Sequence, residues 1–371
     1  MEKVALHKCP EYNIEVITNI LQAQFTALDI DVNEFKGKNV LIKPNLLTLM
    51  SPDKAVTTNP AVVEAVCKIV IGHGGNVTIA DSPAGAYTPA ILKIVYKSCG
   101  MTDAAERTGA TLNFDTSYSE VHNPNGYTSK VFNLLTPVCN ADYIINVCKL
   151  KTHSYTTMSG AVKNLYGCIP GTQKFEIHSR FKNRRDFFSM LTDLCKNICD
   201  TKPVLTITDA VMGMEGNGPS GGSPRYIGCI LSSLNPFTLD SIHEKLINLT
   251  DVPTVEISRQ REYCPISVSD VEIIGDDINA LIVRNYKKPD AVSNKKFDLI
   301  PSFLSPRPVV DNEKCAACLE CLNSCPVHTI ELIENKAFIH KEKCIKCYCC
   351  QEICKFKAIK IKKNIIYKIF K

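Results

Sequence analysis

The sequence predicts an α/β protein in two parts: a large, mainly parallel sheet covered by helices, followed by a small α+β domain rich in cysteine. Three observations in the 371 residues support this prediction. Short apolar runs alternate with helical patterns, nine of the 19 cysteines fall between Cys315 and Cys354, and the excess of basic residues begins near residue 309. Alternating strands and helices are typical of a parallel sheet with helices on its faces.

Five apolar runs have the length expected of buried strands; they lie at residues 40–42, 76–80, 143–147, 204–208 and 226–231. Between the first two runs, the segment 58–70 begins with polar residues, has Pro60 in its first turn and ends at Gly72. These signals mark the start and the end of a helix. The sequence therefore predicts a β–α–β unit here, and repetition of the pattern predicts the parallel sheet.

The composition excludes several classes of protein. With 45% hydrophobic and 22% charged residues, the chain is typical of folded proteins and unlike disordered or collagen-like ones. No segment approaches the about 18 uninterrupted apolar residues of a membrane-spanning helix. The first ten residues also lack the apolar stretch of a signal peptide. We therefore expect a cytoplasmic protein with no transmembrane segment.

Two cysteine runs carry the clearest chemistry. Both have the spacing C-x2-C-x2-C-x3-C, and the run that starts at Cys344 follows the run that starts at Cys315 at an offset of 29 residues. An odd number of cysteines in a long chain without an export signal favours metal-bound thiols over disulfides. Zinc takes four ligands per site and does not explain two identical runs that end in C-x3-C. Three cysteines, each separated from the next by two residues, can instead place three thiolates on one iron–sulfur cube.

This stretch resembles a bacterial-type two-cluster ferredoxin domain over residues 309–362. The resemblance implies that the last cysteine of each run binds the cluster of the other run. The expected ligands of the two [4Fe–4S] clusters are Cys315, Cys318, Cys321 and Cys354 for the first, and Cys344, Cys347, Cys350 and Cys325 for the second. Lys355 replaces the proline expected after the second run. Cys349 is an additional thiol, which we interpret as a spectator although it could compete with Cys350.

Charge divides the chain near the same place. Residues 1–308 contain 31 basic and 31 acidic side chains, whereas residues 309–371 contain 12 lysines and 7 acidic residues, which accounts for the net charge of +5. Such an excess could attract nucleic acid, but two oxidised clusters at about −2 each would cancel most of it. We therefore expect no nucleic-acid partner. The basic end could dock on an acidic redox partner or an anionic membrane, although a frayed surface strand is the commoner case.

These observations predict four segments. Residues 1–290 form the α/β domain, 291–308 a linker, 309–362 the two-cluster domain and 363–371 a basic tail.

Polar residues follow several of the predicted strands, where ligands bind in open parallel sheets. The candidates for one shared cleft are Lys43, Asn45, Lys151, His153, Lys163, Asn164, Asp209, Glu215, Asn217 and Asp240. The three lysines and His153 would form a cationic pocket for a carboxylate or phosphate, with Lys151, His153 and Lys163 as catalytic residues. The carboxylates could hold a hydrated cation or balance the lysines. Each residue could instead belong to a surface salt bridge.

Several motifs resemble the family catalogued as domain of unknown function 362. They are Lys43-Pro44-Asn45, Lys151-x-His153, the segment from Gly160 to Gly167, Gly216-Asn217-Gly218-Pro219, and Asp240. The resemblance spans about residues 4–290, and members often carry a C-terminal ferredoxin module. It implies no particular substrate. Neither a G-x-G-x-x-G after the first strand nor a P-loop is present, so the signatures of dinucleotide and P-loop binding are missing.

The sequence supports two hypotheses about function. In the first, the protein is an iron–sulfur oxidoreductase that passes electrons to a substrate or to an unidentified anionic cofactor in the α/β cleft, and receives them from a redox partner protein. In the second, it is a non-catalytic electron carrier or assembly protein whose α/β domain binds a partner. The first hypothesis requires the candidate residues to converge in one pocket near a cluster.

Overall fold

The computed structural model describes residues 1–181, 183–291 and 305–362. A large α/β region precedes a small cysteine-rich region of short strands and helices, which confirms the predicted fold class. Most of the predicted linker at 291–308, and all of the predicted tail at 363–371, lie outside the described residues.

The α/β region contains eleven described strands. They are β1 (Glu2–Lys8), β2 (Asn39–Pro44), β3 (Asn76–Ile79), β4 (Thr111–Leu112), β5 (Tyr118–His122), β6 (Val131–Leu135), β7 (Tyr143–His153), β8 (Thr157–Ser159), β9 (Val204–Glu215), β10 (Ser223–Ser233) and β11 (Val271–Gly275). Nine of them form one sheet in the order β11-β1-β10-β9-β7-β2-β3-β4, with β8 paired to β7. Strands β5 and β6 form a separate hairpin.

The centre of the sheet is parallel, as predicted. Strand β2 pairs in parallel with both β3 and β7, and β7 pairs in parallel with β9. Strand β10 is antiparallel to both β9 and β1. Strands β9 and β10 are antiparallel because the connection between them is short. A parallel pair would need a crossover of a dozen or more residues.

Ten described helices cover this sheet. They are α1 (Ile14–Ala27), α2 (Pro60–Gly72), α3 (Pro89–Ser98), α4 (Met101–Thr108), α5 (Thr136–Asn140), α6 (Ala161–Asn164), α7 (Gln173–Arg180), α8 (Arg184–Thr201), α9 (Pro236–Leu246) and α10 (Pro253–Gln260). Short 3-10 turns occur at Val32–Phe35, Pro52–Lys54, Leu165–Cys168, Val268–Asp270 and Ile278–Ala280. The predicted helix begins at Pro60, because the Asn59 side chain accepts a hydrogen bond from the N–H of Ala61 and caps it.

The core lies on both faces of the sheet, since alternate residues of a strand point to opposite sides. Ile145 of β7 packs in the cluster that contains Phe25 of α1 and Val66 of α2. Its neighbour Ile144 packs in a second cluster with Leu191 of α8. With both faces covered, polar groups on the central strands become accessible only at the strand ends.

The cysteine-rich region is a structural repeat. Its described elements are the strands β12 (Arg307–Val310), β13 (Ile330–Ile333), β14 (Lys336–Ile339) and β15 (Ile359–Lys362), and the helices α11 (Glu320–Asn323) and α12 (Cys349–Ile353). Residues 29 apart share a left-handed backbone: Ala317 with Lys346, Leu319 with Tyr348, and His328 with Lys357. The offset seen in the sequence therefore recurs in the turns that shape both cysteine loops.

Candidate functional site

A pocket lies at the carboxyl ends of β2, β3 and β7. Both regions of the chain line it. Six of the sequence candidates are among its lining residues: Lys43, Asn45, Lys151, His153, Lys163 and Asn164. The structure therefore brings these six together at the edge where ligands bind in parallel sheets.

Lys43 forms a buried ion pair at the base of the pocket. Its Nζ lies 2.7 Å from Oδ1 of Asp81, which is two residues beyond the end of β3. The other carboxylate oxygen of Asp81 accepts a hydrogen bond of 2.8 Å from the N–H of Leu46. A Cβ on Gly167 would lie 2.1 Å from Asp81 Oδ1, so only glycine allows the chain to pass this close to the ion pair. The charge of Lys43 is thus compensated within the protein.

Lys151 is held by neutral acceptors. Its Nζ donates to Oδ1 of Asn45 and to the carbonyl of Val56, both at 2.6 Å. Asn45 donates in turn to Asn164, and Asn164 donates to Asn146. Burial, and to a smaller extent the neighbouring positive charge of Lys163, lower the pKa of Lys151 to about 7.

Lys163 has no hydrogen bond or ion pair with any residue in the described part of the chain. Its Nζ lies 4.6 Å from the ring centroid of Tyr166, a cation–π contact. Burial lowers the pKa of Lys163. Its helix, α6, is fixed by Asp240, whose carboxylate accepts hydrogen bonds from the N–H groups of Ala161 and Val162 at 2.6 and 3.1 Å. Asp240 therefore acts on the pocket indirectly, by holding the helix that presents Lys163.

His153 faces a carboxylate from the cysteine-rich region. Its Nδ1 accepts a hydrogen bond of 3.0 Å from the N–H of Tyr155, so the neutral ring carries its proton on Nε2. That Nε2 lies 3.1 Å from Oε1 of Glu352. Burial lowers the pKa of His153, which favours the neutral ring. Burial alone would raise the pKa of Glu352, but His153 and Lys163 outweigh it and lower that pKa to about 2.

Three further residues of the pocket were missed by the sequence reasoning. Lys174 donates to the carbonyl and hydroxyl of Ser82 and to the carbonyl of Pro83, and burial lowers its pKa to about 7. His178 stacks on Phe187, and its buried Nδ1 has no hydrogen-bond partner in the described structure. Glu352 is the third. Lys174 and His178 are four residues apart on α7, a spacing that places both on one helix face, but nothing in the sequence shows which face meets the pocket.

The remaining candidates lie outside the pocket lining. Asp209 pairs with Lys149 at 2.8 Å and accepts a hydrogen bond from Tyr12. Glu215 accepts a hydrogen bond from the N–H of Lys287, and Asn217 donates to Asp290. In the described residues, no three His, Cys, Asp or Glu side chains are placed to hold a single metal ion. The structure therefore does not bring Asp209, Glu215, Asn217 and Asp240 together with the lysines.

The structure places the four cysteines expected to bind the first cluster together. They line one cavity: Cys315, Cys318, Cys321 and Cys354. In the second set, burial raises the pKa of Cys344, and the nearby thiols of Cys347 and Cys325 add to the effect. Matching backbone N–H groups of Thr329 and Ala358 donate to sulfur at 3.3 Å. A cavity lined by four thiols, together with amide donors to sulfur, fits a [4Fe–4S] cluster.

The two sets differ in exposure. Cys318 of the first set is exposed, whereas Cys325, Cys347 and Cys350 of the second are buried. Cys349, adjacent to Cys350, is 2% exposed and lines the α/β pocket. The second set therefore lies next to the pocket, and the first lies near the surface.

Helix α12 contacts the loop that follows β9. The Gln351 side chain donates to the carbonyl of Asn217 at 2.8 Å, and the Ser220 hydroxyl donates to the carbonyl of Glu352 at 2.8 Å. A Cβ on Gly221 would lie 2.7 Å from Nε2 of Gln351. The glycine-rich loop therefore positions the segment that carries Cys349 and Glu352 against the pocket.

An α/β domain with a polar pocket, closed by a domain with two sets of cluster-binding cysteines, defines an iron–sulfur protein. Residues 40–243 match the family model described as domain of unknown function (DUF362), and residues 307–355 match a 4Fe-4S dicluster domain. The chain belongs to the DUF362 family, and its C-terminal region is a 4Fe–4S domain. Among the described residues, no helix is long and apolar enough to cross a membrane.

Similar proteins are known among curated sequences and among solved structures. A thylakoid-associated protein of Synechocystis sp. is 31% identical over 276 residues, which cover 71% of this chain and 80% of that protein. The lactate racemase apoprotein of Thermoanaerobacterium thermosaccharolyticum is 13% identical with a TM-score of 0.41, over 68% of this chain and 58% of that one. A structural-genomics protein of Thermotoga maritima has 13% identity and a TM-score of 0.37, over 68% and 60% of the two chains. This chain thus spans less than two thirds of either solved structure.

Proposed function

We propose that this protein is an iron–sulfur oxidoreductase that transfers electrons from two [4Fe–4S] clusters to an anionic substrate or cofactor in the α/β pocket. One observation carries the proposal: Cys349 and Glu352, on either side of the second-set ligand Cys350, form part of the wall of the pocket that contains Lys151, His153 and Lys163. A ligand in this pocket would lie beside the second cluster. Since the cluster is tethered, it would meet that ligand at high effective concentration.

The exposure of the two cysteine sets supports a direction for the electrons. The set that contains the exposed Cys318 would receive them from a redox partner protein, and the buried set would pass them to the pocket. When bound, the clusters supply electrons singly. The proposed compartment is the cytoplasm, because none of the 19 cysteines forms a disulfide. No nucleic-acid partner is part of the proposal.

The pocket residues provide binding and a proton. Lys151 and Lys163 would hold the anionic ligand, and Lys43, Asn45 and Asn164 would fix their positions. The neutral ring of His153 would hold Glu352 in the pocket wall through its Nε2–H. The Lys151 ammonium, whose pKa is about 7, would donate a proton to the reduced substrate and become a neutral amine. A positioned acid of this kind typically contributes about 10²–10⁴-fold to a rate.

The proposal is tested on the full chain purified without oxygen. We expect about eight iron and eight sulfide per chain and interacting EPR signals after dithionite reduction. The small-molecule fraction released from acid-denatured protein is identified by mass spectrometry and then added to the reduced protein. We expect it to reoxidise the clusters of the wild type and of Lys93→Met, an exposed lysine outside the pocket, and to react much more slowly with Lys151→Met.

Zinc without sulfide would contradict electron transfer. Equal reoxidation of the wild type and Lys151→Met would contradict the role of the pocket in the reaction.

A further inference from the structure

The charges in the pocket do not balance among the described residues. Lys43 is neutralised by Asp81, but Lys151 and Lys174 donate only to neutral oxygens. Lys163 contacts only the face of Tyr166. In the pocket lining that the structure describes, Glu352 is the one carboxylate besides Asp81, and its neighbour His153 is neutral.

Keeping lysines protonated at a buried site is costly. Lys151 and Lys174 are 1% and 8% exposed, so water screens them poorly, and burial lowers the pKa of both to about 7. A bound dianion would offer oxygens to more than one lysine, and it would favour their protonated forms more strongly than a monoanion or a neutral ligand would.

A second observation also indicates a ligand. His178 lines the same pocket and is 5% exposed, and its buried Nδ1 has no hydrogen-bond partner in the described structure. Most buried polar atoms in proteins have a partner, so an unpartnered one at a pocket is explained by a missing ligand or water. Lysines, unlike arginines, contact oxygens singly, and here they come from β7, α6 and α7, which surround the pocket.

We propose that the pocket binds a small dianion, either a phosphate monoester or a dicarboxylate, with the Lys163 ammonium as its principal contact. The inference rests on the proposed function in that it concerns the same pocket, and it adds the charge class of the ligand. Lys151 and Lys174 would contact the other oxygens. The Glu352 carboxylate would repel a ligand of higher negative charge.

Binding of such a dianion should take up protons. The charged groups that face Lys151 are Lys163, Lys149, Glu352 and Asp81, and those that face Lys174 are Asp81, Lys43 and Lys163. Both lysines have a pKa of about 7 because burial outweighs the carboxylates. A bound anion favours the protonated form and raises both pKa values. At about pH 8 the free lysines are mostly neutral, so between one and two protons should be taken up per ligand.

The test is calorimetric titration of the oxidised, cluster-loaded full chain at about pH 8 with phosphate, succinate and acetate. Repeating it in two buffers of different protonation enthalpy gives the number of protons taken up. We expect saturable binding of phosphate or succinate with proton uptake, and at least about tenfold weaker binding of acetate. If phosphate binds more tightly than succinate, the ligand is a phosphate ester, and if succinate binds more tightly, it is a dicarboxylate.

Variants make the assignment specific. Lys163→Met should weaken dianion binding by at least about tenfold, Lys163→Arg should restore part of it, and the exposed Lys93→Met should change nothing. Iron content and melting temperature show whether each variant folds. Three results would overturn the proposal. Acetate could bind as tightly as the dianions, the dianions could show no saturable binding, or a folded Lys163→Met could keep full affinity. Because no reductant is present, these outcomes are independent of whether the clusters reduce anything.

Discussion

Lys151 is buried and has no carboxylate partner among the described residues. Its side chain is 1% exposed and bonded only to neutral oxygens, which lowers its pKa to about 7. In the unfolded chain the same ammonium has an ordinary pKa of about 10.4. Between these two pH values the unfolded chain binds more protons, so this residue makes stability rise with pH.

This difference predicts a pH effect in the ligand-free protein. From pH 7 to 9, the wild type should gain stability relative to Lys151→Met by about 1 kcal/mol per pH unit, because the wild type alone carries the titrating group. Below pH 7 the two should change in parallel. The comparison is made by thermal unfolding of the dialysed, oxidised proteins. A difference that stays constant across this range would show that Lys151 is fully protonated in the folded chain.

Helix α6 is the element on which the pocket depends most. It has four residues, too few to be stable alone, and its N-terminus is capped by Asp240 from α9. A Cβ on Gly160 would lie 2.1 Å from Asp240 Oδ1, so glycine is required for this close contact. The motif from Gly160 to Gly167 is therefore a device for placing Lys163 and Asn164.

The contact between Asp240 and the N-terminus of α6 leads to a prediction about the position of Lys163. Asp240→Asn should leave one N–H of α6 poorly paired, which costs about 1–3 kcal/mol of stability. It should also weaken phosphate or succinate binding about tenfold by displacing Lys163, whereas the exposed Asp270→Asn should do neither. Calorimetric titration and melting temperature are measured together. A loss of stability with unchanged affinity would show that Asp240 supports the fold and does not position Lys163.

At the scale of elements, part of the site was predicted from the tendency of ligands to bind at the carboxyl ends of parallel strands. This tendency correctly grouped Lys43, Lys151 and His153, because they lie near the ends of adjacent parallel strands. It could not show that Lys149, two residues earlier on β7, meets Asp209 and Tyr12 away from the pocket lining. Two residues of strand are about 7 Å, enough to separate a pocket lysine from a core ion pair.

At the scale of the whole molecule, the spacing of the cysteines predicted more structural detail than the apolar strand patterns of the α/β region did. The offset of 29 residues anticipated the repeated turns and the two cysteine sets. Lys174, His178 and Glu352 could not be predicted, because their place depends on how α7 and α12 dock on the sheet. Sequence patterns describe periodicity within an element, and docking between elements is set by tertiary packing.

Because α12 packs against the α/β domain, the second cysteine run and the lysine pocket form one site. Cys349 and Glu352 reach the lysines of the α/β domain from within the second cysteine run. The residue that the sequence suggested as a spectator thiol lines the pocket. A ligand in this pocket would therefore lie beside the second cysteine set, with no other protein between them.

The most direct test of this account is pulsed EPR of the dithionite-reduced protein with phosphate, or with carbon-13-labelled succinate, in the pocket. We predict hyperfine coupling between the ligand nucleus and the reduced cluster in the wild type and in Lys93→Met, and its loss in Lys163→Met. A wild type that shows the cluster signals and binds the dianion, yet has no such coupling, would contradict the claim that the pocket lies beside the second cluster.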